Sequence, residues 1–134
     1  MPVSWNRSLE IGVPEIDHQH RELFARLGGF DDALARGDRA DIAATFAFLR
    51  DYALVHFERE ERLMREAEYP RLEAHQALHQ GFVARLQALS REHELQGPSA
   101  LLRLRARNWI VVWLTDHVGG EDVALGRHLT SRAA

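Results

Sequence analysis

The sequence predicts an all-α fold: an up-down-up-down antiparallel four-helix bundle with an N-terminal arm. Three observations carry that prediction. Apolar residues recur at steps of three and four along four long stretches, the spacing of a helix stripe turned to a core. The breaks between stretches fall at helix stop and start residues, Gly37-Asp38, Tyr69-Pro70 and Gly97-Pro98-Ser99. These breaks are short, and short connections make consecutive helices antiparallel neighbours. The chain has 134 residues, the length of one ordinary domain, so residues 1–134 are expected to form a single one.

Composition narrows the function classes. The chain is 46% hydrophobic and 28% charged, as a globular protein is. A net charge of −3 argues against a nucleic-acid partner, which would call for a basic surface. The absence of cysteine excludes disulfides, iron–sulfur clusters and thiolate zinc sites. Met1-Pro-Val-Ser-Trp5 has neither the basic nor the apolar region of a signal peptide. The longest strongly apolar run, from Trp109 to Leu114, is far too short to span a bilayer. No membrane partner and a cytoplasmic location are therefore expected. Eight histidines are the compositional oddity, and their positions decide the rest.

Residues 1–13 lack periodicity and read as an ordered arm on the bundle, with Trp5 as a packing anchor. The first helix should open at Pro14, since proline suits a first turn, and end at Gly37 as a C′ glycine. Ile16, His20, Leu23, Phe24, Leu27 and Leu34 form its stripe, which puts His20 inward. His18 lies about 200° round from His20 and faces solvent. Gly28-Gly29 in mid-helix should cost roughly 2 kcal/mol against alanines and would permit a bend or close packing.

Asp38 is the expected N-cap of the second helix. Its stripe runs Ile42, Phe46, Leu49, Ala53, His56, Glu60, Leu63, with Arg59, Glu61 and Arg62 on the wet face. The third helix should run from Pro70 to about Glu94, with Leu72, His75, His79, Phe82, Leu86 and Leu89 inward. His93 continues that stripe but lies roughly 21 Å beyond His79, too far to share a site. The fourth helix carries Leu102, Ala106, Ile110, Trp113 and His117 inward, and Trp109 joins Trp113 as core or pocket wall. Gly119-Gly120 then interrupts the pattern, and His128 falls in a polar tail with no assigned role.

In this topology the start of the first helix, the end of the second, the start of the third and the end of the fourth share one end of the bundle. His20, His56, Glu60, His75, His79, His117 and Asp122 therefore converge at one depth. Asp122 is five positions from His117, about 140° round an unbroken helix, so it joins that face only if the helix ends or distorts. Gly119-Gly120 supplies the place. A single core histidine is usually a hydrogen-bonded structural residue. That explains so many inward imidazoles and carboxylates poorly, because unpaired polar groups are costly to bury.

Imidazoles with carboxylates and no thiolate suit iron, manganese or zinc. Seven ligands are too many for one transition-metal ion and suit a pair. If both carboxylates and a solvent-derived oxygen bridge two octahedral ions, a single coordination position stays open for a small exogenous ligand. Moving an electron pair and the bridging proton together onto O₂ leaves the charge of such a centre unchanged, which favours reversibility in a dry pocket.

Taken together, Asp17-x-Gln19-His20, His56-x-x-x-Glu60, His75-x-x-x-His79 and His117-x-x-x-x-Asp122 resemble the hemerythrin family, specifically its single-domain bacteriohemerythrins, over nearly the whole chain. The resemblance implies a four-helix bundle binding O₂ reversibly at a non-haem di-iron centre with an oxo or hydroxo bridge. It implies that His75, His79 and His117 hold one iron, that His20 and His56 hold the other, which keeps the open position, and that Glu60 and Asp122 bridge. Trp113 and Leu114 match positions that wall the O₂ pocket. Gly119-Gly120-Glu121 before Asp122 is unusual beside that pattern. The expected role is O₂ storage, delivery or sensing, with dioxygen as partner and no enzymatic activity. The alternatives are a di-iron enzyme acting on peroxide or nitric oxide, and a module that reports oxygen or iron status. No nucleophile–base pair or organic-substrate pocket can be read from the chain to favour the enzyme.

Overall fold

The computed structural model describes residues 5–133 and builds one long helix from each apolar stripe. These are α1 (Pro14–Arg36), α2 (Arg39–Glu66), α3 (Leu72–Gln96) and α4 (Ala100–Asp116). A widened π-helical turn, His117–Asp122, leads from α4 into α5 (Val123–Ala133). α1 packs on α2, α2 on α3, α3 on α4, and α4 back on α1, which closes the up-down-up-down bundle. No described helix is long and apolar enough to cross a membrane.

The helix ends form where stop and start chemistry puts them. Gly37 takes the left-handed conformation at φ 68° and returns its N–H to the Ala33 and Leu34 carbonyls. The Asp38 carboxylate caps α2 by accepting from the Asp41 N–H at 2.9 Å. Ser99 does the same for α4 through the Leu102 N–H at 3.0 Å. The turn after α2 corrects the expected start at Pro70. Glu68 adopts φ 52°, and the Tyr69 N–H reaches back to the Met64 carbonyl at 2.9 Å. This closure, a Schellman motif with Glu68 where glycine is usual, keeps Pro70 and Arg71 in the turn, so α3 starts at Leu72.

Phe24, Leu27, Phe30, Phe46, Leu49, Phe82, Leu86, Leu89, Ala106 and Ile110 belong to the main core. One turn beyond Glu60, the buried residue is Met64 and not the expected Leu63, which is half-buried. Met64 joins Tyr69 and Leu125 in a second apolar cluster that closes the end of the bundle. At Gly28 and Gly29 a methyl group would meet nothing within 4 Å, so neither glycine serves close packing.

The C-terminal stretch is a docked helix and not a polar tail. Leu125 is wholly buried, and the His128 imidazole bonds the Ala67 carbonyl at 3.1 Å. Gly126 lets α5 lie against the arm. A Cβ there would collide with the Ile11 carbonyl and stand 2.7 Å from the Ile11 Cβ. Within the described part of the arm, Leu9 and Ile11 are buried, and Trp5 packs on the core beneath the Arg21 guanidinium, 5.0 Å from its ring centre. Residues 1–4 of the expected arm lie outside the described residues.

Candidate metal centre

All seven side chains singled out from the sequence meet at the α5 end of the bundle, each at most 5% exposed. Glu60, one turn after His56 on α2, stands at the centre. One of its oxygens lies 2.7 Å from His75 Nε2 and 3.2 Å from His79 Nε2. The other lies 3.3 Å from His56 Nε2 and 3.7 Å from His20 Nε2. Asp122 repeats this on the opposite side. Its Oδ1 is 2.9 Å from His75 Nε2 and 3.2 Å from His117 Nε2, and its Oδ2 is 3.0 Å from His20 Nε2. The donor atoms fall into two groups, each spanning no more than 4.8 Å: Glu60, His75, His79, His117 and Asp122; and His20, His56, Glu60 and Asp122. Both carboxylates belong to both groups.

The π-helical turn is what brings Asp122 in. A regular helix would swing residue i+5 well away from residue i, whereas i→i+5 winding returns it towards the same side. Gly119 passes beneath Leu9 of the arm, where a Cβ would stand 3.2 Å from Leu9 Cδ2. The helix is thus widened at the glycine pair and not ended there.

The electrostatics are those of a site made for cations. Burial pushes His20 and His75 down, but the Asp122 and Glu60 carboxylates outweigh it and carry both up to about 9. Burial raises Glu60, yet His20, His56, His75 and His79 together hold it well below the usual carboxylate range. Burial and Glu60 raise Asp122, and His117 and His20 reverse this to about 2. Although partners lie close, His20 Nε2, Glu60 Oε2 and both Asp122 oxygens make no properly directed hydrogen bond. Their lone pairs converge on shared points, not on one another's protons. Metal ions suit that convergence, and the imidazole–carboxylate donor set suits iron.

The flanking residues divide into those read correctly and those missed. His18 is exposed, and His93 is a buried structural histidine at the far end, bonded to the Arg39 carbonyl at 2.9 Å. In Asp17-x-Gln19-His20 each residue has its own task. Asp17 pins the arm by accepting from the Ile11 N–H at 2.8 Å and the Gly12 N–H at 3.2 Å. The Gln19 amide oxygen meets His56 Nδ1 at 2.7 Å, and His20 enters the site. Glu61 corrects the wet-face assignment: its side chain is 15% exposed, and its carboxylate meets His79 Nδ1 at 2.7 Å. Arg59 keeps the wet face assigned to it and there grips Glu15 of α1 at 2.6 and 3.0 Å.

The aromatic wall differs in detail from the expected stripe. Leu114, only 2% exposed, takes the buried slot on α4. Trp113 is half-buried, stacks on the His117 ring at 4.4 Å, and borders a surface groove of about 520 Å³ with Trp109, Leu78 and His117. Phe57, missed because it sits beside His56 and off its stripe, stacks on His79 at 3.9 Å.

Comparison with known proteins agrees with this geometry. The family described as Hemerythrin HHE cation binding domain matches residues 11–129. A bacteriohemerythrin of Stenotrophomonas maltophilia is 32% identical over 121 residues, 90% of this chain and 76% of that one. A bacteriohemerythrin of Pseudomonas aeruginosa is 35% identical over 82 residues, 61% of this chain and 54% of its relative. A myohemerythrin of Riftia pachyptila is 30% identical, covering 90% of this chain and 88% of its own. A wild-type hemerythrin crystal structure superposes with a TM-score of 0.87 over 97% of this chain and 99% of that one; at 24% identity this is a likeness of fold. The family match takes in every converging histidine and carboxylate, and on it the chain belongs to the hemerythrin family, a family of non-haem iron, oxygen-binding proteins and not of enzymes.

Proposed function

We propose that this chain, as a single hemerythrin-like domain, binds dioxygen reversibly at a di-iron centre, for storage, delivery or sensing. His75, His79 and His117 would hold one iron and His20 and His56 the other, with Glu60 and Asp122 available to both. The observation that carries the reading is the pair of overlapping donor groups with both carboxylates in common. With three imidazoles in one donor group and two in the other, the open position for a small ligand would fall on the His20–His56 side. Iron, when bound there, supplies the electrons that O₂ takes up and returns.

The protein's own part is to position and to keep dry. Helices α1, α2 and α3 present imidazoles and a carboxylate, and the π-helical turn adds His117 and Asp122. Reversibility requires that no proton or anion arrive from solvent to displace the ligand. Leu114, Phe57 and the inner face of Trp113 exclude water along one side, and Met64, Tyr69 and Leu125 close the end. Anaerobic reconstitution with ferrous iron tests this reading. About two irons per chain are expected, from the donor count for octahedral sites. An oxygen electrode should then record uptake of about one O₂ per iron pair and its return when the gas phase is exchanged. A single tightly held ion, or uptake that is never returned, would overturn the reading.

A further inference from the structure

The atoms behind the histidines are not alike. Each imidazole directs Nε2 into the site, which leaves Nδ1 to be held from outside. His79 Nδ1 meets a carboxylate, Glu61, at 2.7 Å. Gln76 donates to the other Glu61 oxygen at 2.8 Å, which fixes the carboxylate in the orientation His79 needs. His56 Nδ1 meets the neutral amide oxygen of Gln19 at 2.7 Å. Nδ1 of His20 and of His75 is buried without a hydrogen-bonding partner. His79 belongs to the donor group with three imidazoles and His56 to the group with two. The charged partner therefore backs one half of the site and the neutral partner the other.

We propose that Glu61 and Gln19 are positioning residues that make the two iron positions electronically unequal. This rests on the reading of these histidines as iron ligands. An ionised carboxylate only accepts, so Glu61 forces the proton of His79 onto Nδ1 and leaves Nε2 free to ligate. It also makes that imidazole a stronger donor, which stabilises the more highly charged ferric state on its side. The Gln19 oxygen fixes the same tautomer in His56 but adds no charge. The iron on the His20–His56 side thus stays more easily kept ferrous, and that is the side with fewer imidazoles. The Gln76 contact makes Glu61→Gln more than a loss of charge. With Gln76 still donating to the new amide oxygen, the new NH₂ would face His79 Nδ1 and favour the wrong tautomer.

The test uses the full chain loaded with iron, in Glu61→Gln and Gln19→Glu forms, with metal affinity and reduction potential as readouts. Glu61→Gln is expected to weaken one of the two irons by about 10–100-fold and leave the other near the parent value. It should raise the reduction potential, whereas Gln19→Glu should lower it. Opposite shifts from the two exchanges are what a merely structural role would not produce. Potentials that do not move, or that move in the same direction, in variants that still hold iron would overturn this proposal and leave the proposed function standing. A parent that holds no iron would overturn both.

Discussion

His20 and His18 are two positions apart on α1, yet one is wholly buried beside two carboxylates and the other is exposed. His20→Ala should therefore lose iron, while His18→Ala should keep it; metal analysis after reconstitution separates the two. Leu114 and Trp113 make a similar pair. Removing the buried Leu114 side chain opens a cavity beside His117 and should cost about 2–5 kcal/mol. We expect Leu114→Ala to retain iron but oxidise in air much faster than the parent, and Trp113→Ala to show a smaller acceleration because that ring already borders solvent. Equal, unchanged decay in both would show that this wall does not protect the site. The histidines and Glu60 were legible in the sequence because charged and imidazole side chains occupied slots that a core pattern reserves for apolar ones. Glu61 was not legible. It follows Glu60 and points about 100° round the helix, and a carboxylate there suits water as well as it suits a histidine held from behind.

At the scale of elements, the caps at Gly37, Asp38 and Ser99 were readable because each depends on local chemistry alone. α5 was not, since its eleven residues follow the Gly119-Gly120 break and their docking depends on a distant partner. That partner is the arm, and the contact makes opposite predictions for two helical glycines. Gly126→Ala places a methyl group inside the Ile11 backbone and should destabilise by about 1–3 kcal/mol. Gly29→Ala meets nothing within 4 Å and should stabilise by about 1 kcal/mol. Thermal melts of the two variants should move apart; a shift in the same direction would contradict the packing of arm on α5. The π-helical turn was half-legible. The spacing from His117 to Asp122 demanded a distortion, and the glycines marked its place, but nothing in the sequence distinguished a widened helix from an ended one.

For the molecule as a whole, the buried cluster sets how stability depends on pH. In the metal-free protein His20 and His75 stand at about 9, above their ordinary 6.5, so what they contribute is present below pH 6.5 and lost as pH rises towards 9. Asp122, at about 2, and Glu60 lie below their ordinary 3.8 and 4.5, so their contribution is present above those values and lost as pH falls, for Asp122 towards pH 2. The metal-free protein should thus melt highest between roughly pH 4.5 and 6.5. Iron reverses the alkaline limb, because it takes neutral imidazoles and releases their protons, so its binding tightens as pH rises. Melts with and without ferrous iron at about pH 6 and pH 8.5 check both signs. The bundle itself was legible throughout, since stripe spacing and short breaks dictate antiparallel neighbours, and that topology places the ligands at one end. These side chains are proposed to make a di-iron centre that takes up O₂ and gives it back. The most direct measurement is the visible absorption spectrum of ferrous-reconstituted protein cycled between air and an oxygen-free atmosphere. A band should appear in air, vanish when O₂ is removed and return on readmission over repeated cycles. A band that forms once and persists without O₂, or no band at all from iron-loaded protein, would contradict the proposal.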